Sequence, residues 1–340
     1  MVIRAFIYHK RAEKYSDCQD CFGINSQNNR IAVSDGMSQS IFPQWWAKIL
    51  VDDYLENGYI PTDILPLQVK WQQKLLAEIQ RRDEEAKTNP KRDPWRLKNL
   101  LAEKSGAGAT LCGLTLVENE WTCECLGDSC VIAINHDYTL NIYTSQVGEF
   151  GNHPDYFDSF RTGRGKPICK TVNRDVKALL LVTDPFSELF QLHENNPDFI
   201  KSRFDELQSL TNHESFTVLV EQWRDEFGMH NDDSTLVLIT DCSDNNVEIA
   251  YADDLRQLCQ DEKNRMERTS SDESKSVSNT NNEETKVYSV ENQSCDEAVE
   301  SFKSSFENLM PYYRGKKSNG KIIEWVKSIL KPLIDSLSKS

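Results

Sequence analysis

The sequence predicts a layered α/β domain with largely antiparallel sheets over residues 1 to 245, and three observations predict it. Short β-branched or leucine-rich runs such as Ile31-Ala32-Val33-Ser34, Leu179-Leu180-Leu181-Val182 and Thr235-Leu236-Val237-Leu238-Ile239 are too short for helices and read as buried strands. The runs fall in two clusters, with helical patterns between and around them. One hairpin is explicit: Thr110 to Val117, the turn Glu118-Asn119-Glu120, and a second run from Trp121.

The elements follow in order. Met1 to Lys10 lacks the apolar length of a signal peptide and reads as a first strand. Asp20-Cys21-Phe22-Gly23-Ile24 and the run ending at Asp35 come next. A helix is predicted over Pro43 to Val51, with proline in the first turn, where its missing N–H is no loss. A longer helix with charged outer positions spans Leu65 to Lys87. The second arm of the hairpin reaches Gly127-Asp128-Ser129, and Val131 to Ile134 continues as strand. Residues 145 to 170 are polar, contain Arg161-Thr162-Gly163-Arg164-Gly165-Lys166, and read as a long loop. Helices are expected over Phe186 to Leu192, Asp198 to Leu207 and Glu214 to Phe227, before the last long strand.

Beyond residue 245 the texture changes. Residues 246–310 read as an acidic, polar linker, disordered over Thr269 to Glu284, which has little to bury. Residues 311–340 regain a pattern: Ile322, Val326, Ile329, Leu330, Leu333 and Leu337 share one helical face, kinked at Pro332. This helix is expected to dock on its own domain or on a partner protein. Contact with a membrane surface through Trp325 and the lysines is the less favoured alternative.

Composition narrows the function. A formal net charge of -15 over 340 residues argues against non-specific nucleic-acid binding, which needs a basic face. A hydrophobic content of 38% and a mean hydropathy of -0.60 suit a chain that is part folded and part extended. No stretch approaches a membrane span. Ten cysteines lie mostly inside strand-like runs and, with no export signal, read as reduced core thiols of a cytoplasmic protein. Cys18-Gln19-Asp20-Cys21 is a CxxC, but Cys123 and Cys125 have the wrong spacing to complete a zinc site. Cys259 to Arg265 matches C-x5-R, yet a phosphate cradle needs open backbone amides and this segment carries Asp261 and Glu262. That match is chance.

The aspartates carry the chemistry. Asp35, Asp184 and the pair Asp232-Asp233 each stand at one end of a buried run, with Asp20 and Asp128 in similar settings. A single aspartate there is a common turn former. Several on neighbouring strands would converge, and their repulsion would be costly without a cation. Hard divalent ions such as Mg²⁺ and Mn²⁺ take oxygen ligands of this kind.

Read in order, Asp20, Ser34-Asp35-Gly36, Gly108-Ala109-Thr110-Leu111, Gly127-Asp128-Ser129, Leu181-Val182-Thr183-Asp184 and Asp232-Asp233-Ser234-Thr235 resemble the metal-dependent type 2C protein phosphatases. Asp35-Gly36-Met37-Ser38 followed by Trp46-Ala47 is similar to their bacterial branch. The resemblance covers residues 1 to 245. It implies a four-layer α-β-β-α sandwich of two antiparallel sheets flanked by helices, with two Mn²⁺ or Mg²⁺ ions at one end. It also implies that Asp35 bridges both ions, that the carbonyl of Gly36 holds one, and that Asp184 and Asp232 hold the other. Asp20 is then a ligand directly or through water, and Asp128 a ligand for a weaker third ion. Two close divalent ions acidify a shared water and neutralise charge on the attacked phosphoryl group, so no cysteine, serine or histidine nucleophile is required. The implied activity is hydrolysis of phosphoserine and phosphothreonine in proteins, opposing a Ser/Thr kinase.

Some positions depart from the family's pattern. Tyr15 stands where the family has a phosphate-binding arginine. Lys14 or Arg11 would substitute, although lysine is a point charge and not a bidentate fork. Pro185 replaces a common glycine, and Asp233 a common asparagine. Two rival readings stand beside this one. Gly151-Asn152-His153-Pro154 is similar to a block of the histidine-containing bimetal phosphatases, whose other motifs this chain lacks. A catalytically weak phosphatase-fold scaffold, binding a phosphoprotein and recruiting a partner through its tail, is the non-enzymatic alternative.

Overall fold

A computed structural model describes residues 1–274 apart from residues 90, 92, 119, 147–153 and 245. Two sheets lie face to face. The first has six strands in the order β13-β1-β12-β11-β7-β8: Glu248–Ala252, Val2–Tyr8, Ser234–Thr240, Ala178–Val182, Cys130–Ile134 and Leu140–Tyr143. The second has five in the order β10-β6-β5-β3-β2: Ile168–Val172, Glu120–Leu126, Leu111–Val117, Arg30–Ser34 and Cys21–Asn25. A short pair joins β4 (Gly108–Ala109) to β9 (Phe157–Asp158).

The layers follow from alternation along the strands. Leu180 and Val182 on β11, with Leu236 and Leu238 on β12, face the helices α4 (Asp184–Leu192), α5 (Pro197–Gln208) and α6 (His213–Glu226). Their neighbours Leu179, Leu181, Val237 and Ile239 face the opposite way, into the space between the sheets, where they meet Val33, Cys112 and Val131. A strand buried on both faces needs apolar residues at every position, which is why these runs are continuous and not alternating. On the outer face of the second sheet, Trp46, Leu50 and Tyr54 of α1 (Pro43–Asn57) and Trp71 and Leu75 of α2 (Leu65–Thr88) make a third core. Gly113 on β5 admits that contact, because a Cβ there would lie 2.3 Å from the Tyr54 ring. Helix, sheet, sheet, helix is the predicted sandwich.

Four expectations need correction. The sheets are antiparallel except that β13 pairs parallel with β1. That strand lies past the boundary expected at residue 245, and a helix, α7 (Leu255–Ser274), follows where a linker was predicted. Glu248 to Ala252 is short and mostly exposed, and it is held by backbone pairing with β1 at the other end of the chain, which local patterning does not reveal. Likewise, the loop expected to Lys170 ends early: Ile168–Val172 pairs with β6 as an edge strand. A helix, α3 (Trp95–Ala102), was also unforeseen. Of the stretch expected to be disordered, Thr269 to Glu284, the first six residues belong to α7; the rest of it, the amphipathic helix expected over 311–340 and His153 lie outside the described residues.

Strand register decides where the aspartates go. Val182 pairs with Leu236, so Asp184 and Asp232 leave the same end of neighbouring strands. Cys21 pairs with Ser34, which sets Asp20 opposite Asp35. Leu111 pairs with Leu126, bringing Thr110 beside the Gly127-Asp128-Ser129 turn through which the chain passes from the second sheet to the first. Gly127 takes φ +101, and a Cβ there would meet Thr110 and the Asp155 carbonyl within 2.7 Å.

Candidate active site

The end of the sandwich onto which these turns open is a carboxylate cluster. Asp20 is buried, and the Thr235 hydroxyl donates to its Oδ2 at 2.7 Å, a hydrogen bond that joins the two sheets at the site. Its other oxygen, Oδ1, is buried with no hydrogen-bond partner, and so is Oδ1 of buried Asp128. Asp35 is fixed through its backbone: its N–H donates to the Thr110 hydroxyl at 3.1 Å, and its carbonyl accepts from the Thr110 N–H at 2.9 Å. Thr110 Oγ1 lies 2.6 Å from Ser129 Oγ, so a single threonine ties the Asp35 turn to the Asp128 turn. Asp184 opens α4, and the Ser187 hydroxyl bridges the Asp184 and Asp128 carbonyls at 3.1 and 3.0 Å. Gly36 is pressed between the Gln19 carbonyl and Pro43; a Cβ would lie 2.8 Å from both.

These carboxyls hold their protons too tightly for isolated aspartates. Burial, then the charges of Asp128 and Asp232, push Asp35 up to about 8. Asp128 is pushed up to about 6, chiefly by burial. Burial and the charge of Asp35 raise Asp20 and Asp184 well above the usual carboxylate range. Repulsion and desolvation both favour the neutral form, and a divalent cation would reverse both.

Asp232 and its neighbour Asp233 differ in role. Asp232 Oδ1 lies 3.4 Å from Lys10 Nζ, and Asp184, His230 and Asp232 offer one ligand atom each within 4.8 Å of one another. Asp233 turns away, accepting the backbone N–H groups of Lys10 at 2.9 Å and Gln19 at 2.7 Å, and so clamps the segment leading to Asp20.

Of the two predicted phosphate binders, one has its guanidinium already paired and the other stands at the surface. Arg11 pairs with Glu221 at 2.5 Å and Asp225 at 2.6 Å on α6, a fork satisfied by two carboxylates. Lys14 is exposed at the start of a short 3-10 turn. The cation in place is Lys10, whose ammonium reaches Ser38 Oγ at 3.2 Å as well as Asp232. Burial opposes its charge, but Asp232, Asp233 and Glu13 outweigh that and raise its pKa. Tyr15, at the family's arginine position, is engaged elsewhere: its hydroxyl lies 2.5 Å from His213 Nε2, and His213 Nδ1 lies 2.9 Å from Asp253. Lys10 and His230 were the residues sequence reasoning missed. The β1–β12 register, which pairs Tyr8 with Ser234 and so runs on toward Lys10 and Asp232, was the signal for the first.

Neither the Cys123–Cys125 pair nor the C-x5-R match enters this site. Cys112, Cys123, Cys125 and Cys130 are buried free thiols, with the Cys123 and Cys125 sulfurs 3.3 Å apart on one side of β6. Cys259 and Arg265 lie on α7, where no phosphate loop exists.

The sequence profile of the family described as Protein phosphatase 2C matches residues 9–224, and the chain belongs to that family of phosphoprotein phosphatases. No curated protein matches the chain in sequence. Among solved structures it is similar to a bacterial serine phosphatase, with 16% identity over 70% of this chain and 96% of that one and a TM-score of 0.45. It is similar to the serine/threonine phosphatase Stp1 of Staphylococcus aureus, with 15% identity over 70% and 94% of the two chains and a TM-score of 0.45. The catalytic domain of the phosphatase PstP, in complex with two manganese ions, matches with 15% identity over 69% and 96% and a TM-score of 0.40.

Proposed function

We propose that this protein hydrolyses phosphoserine and phosphothreonine in proteins, using a pair of Mn²⁺ or Mg²⁺ ions held by its aspartates. One observation carries the reading: Asp20, Asp35, Asp128, Asp184 and Asp232 act on one another through their charges, and two of their buried oxygens, Asp20 Oδ1 and Asp128 Oδ1, have no hydrogen-bond partner. Buried carboxylate oxygens are expensive to leave unsatisfied, and all-oxygen donors suit hard divalent ions.

In this reading Asp35 would serve both ions, the Gly36 carbonyl would hold one, Asp184 and Asp232 would hold the other, and Asp20 would add a ligand directly or through water. Asp128 serves a weaker third. Bound there, the ions supply an acidified water and screen charge on the phosphoryl group. The chain's own groups do the rest. Thr110 and Ser187 fix the turns that aim Asp35, Asp128 and Asp184. Lys10, and neither Arg11 nor Lys14, meets the phosphate oxygens, with its ammonium held forward by Asp232 and Ser38. A Ser/Thr kinase that supplies the phosphoprotein is the counterpart, and the cytoplasm is the setting. Among the described residues no helix is long and apolar enough to cross a membrane.

The test is turnover of phosphopeptides and p-nitrophenyl phosphate in Mn²⁺, with Asp35→Asn and Asp184→Asn as variants. Metal-dependent turnover lost in both supports the reading. Tight phosphopeptide binding without turnover would instead support the scaffold.

A further inference from the structure

We infer that the imidazole of His230 is a ligand, through Nδ1, to the ion held by Asp184 and Asp232, so that one of the two ions sits on mixed nitrogen and oxygen donors. The inference rests on the bimetal reading above and deepens it. His230 Nδ1 lies 4.0 Å from Asp184 Oδ2, too far for a hydrogen bond. It is the right span for two donors on one ion: at metal–ligand distances of about 2.1 Å, donors stand roughly 3 Å apart at right angles and about 4.2 Å apart when opposite. The Asp232 ligand atom completes a triangle within 4.8 Å.

Local backbone holds the ring there. The Asp232 N–H donates to the His230 carbonyl at 3.1 Å, a tight turn that keeps both side chains at the mouth of the cluster. One residue earlier, buried Met229 anchors the turn through its N–H to the Trp223 carbonyl at 3.2 Å. The His230 ring itself makes no hydrogen bond among the described residues, and its side chain is 59% exposed. A ring with a free nitrogen facing two carboxylates is poised for a cation.

The consequence is metal preference. Imidazole nitrogen suits Co²⁺, Ni²⁺ and Zn²⁺ best and is accepted by Mn²⁺ beside carboxylates, whereas Mg²⁺ demands an oxygen octahedron. His230→Ala should therefore weaken Mn²⁺ and Co²⁺ binding by about tenfold or more and change Mg²⁺ binding far less. His230→Asp should recover Mn²⁺ affinity and move preference toward Mg²⁺.

The full-length protein loaded with substoichiometric Mn²⁺ is examined by pulsed electron paramagnetic resonance for ¹⁴N hyperfine coupling, with calorimetric titration of Mn²⁺ and Mg²⁺. Coupling present in the wild type and lost in His230→Ala supports the assignment. Mn²⁺ bound with wild-type affinity and no ¹⁴N coupling, or coupling that survives His230→Ala, overturns it while leaving the aspartate site intact. Failure of the wild type to bind Mn²⁺ at all overturns the bimetal reading, and this assignment with it.

Discussion

Replacing Asp35 with asparagine should stabilise the metal-free protein and abolish its stabilisation by Mn²⁺. In the folded chain the Asp35 carboxyl is pushed up to about 8 by burial and by its neighbours. An unfolded aspartate titrates near 3.9, so the folded state binds the proton more tightly. For an acid shifted this way the unfolded state loses its proton first, and stability falls as pH rises from the unfolded pKa to the folded one. At about 1.4 kcal/mol per unit, the penalty is on the order of 2 kcal/mol at pH 5 and on the order of 5 kcal/mol at pH 7.5. Asp35 is partly open to solvent and shares its protons with Asp20 and Asp184, so the realised difference is smaller, roughly 1–2 kcal/mol. For a folded unit of this size that is about 3–6 °C in Tm. The assay is thermal unfolding followed by circular dichroism from pH 5 to 8, in chelator and in Mn²⁺. In chelator the wild type should lose Tm as pH rises, and Asp35→Asn should lose less. In Mn²⁺ the wild type should gain most at high pH, where protons no longer compete for the ligands. A variant less stable than the wild type in chelator at pH 8, or one with an undiminished Mn²⁺ response, refutes the electrostatic account.

Four further outcomes are expected. Lys10→Ala should raise KM for a phosphopeptide about tenfold, the loss of one charge-assisted contact, while Arg11→Ala leaves it near wild type; steady-state kinetics of both variants checks the exchange of roles. Asp253→Ala should destabilise by about 3 kcal/mol or more in urea unfolding, because its buried carboxylate accepts from the Ile7 N–H, Tyr251 Oη and His213 Nδ1, each at 2.9 Å. Truncation at residue 245 removes that carboxylate together with β13 and should unfold the domain, whereas truncation at 274 should not; circular dichroism distinguishes them. Gly113→Ala should cost about 1–3 kcal/mol by driving a methyl into the Tyr54 ring, read as a lower denaturant midpoint.

The layers and most helices were legible because burial leaves local marks. Leu179 to Val182 is apolar at every position since both faces are covered, and Pro43 announces α1 at its first turn. The aspartates were legible because each sits where a buried run stops. What escaped depends on contacts distant in sequence. Strand β13 is recognisable only once β1 is there to pair with it, and Lys10 becomes a site residue only through the register that sets β1 against β12. Arg11 looked eligible because its sequence position says nothing of Glu221 and Asp225, which stand on a helix far along the chain and satisfy it.

The hydrogen bond from Thr235 to Asp20 spans the two sheets, so the distance between opposing aspartates is set by whatever fills the gap beneath them. Cys112, Val131 and Leu181 are that filling. Shaving a methyl from it would let the halves of the sandwich settle, and ion affinity would register the change before the fold did. The oily interior works here as a spacer gauge for the acidic rim.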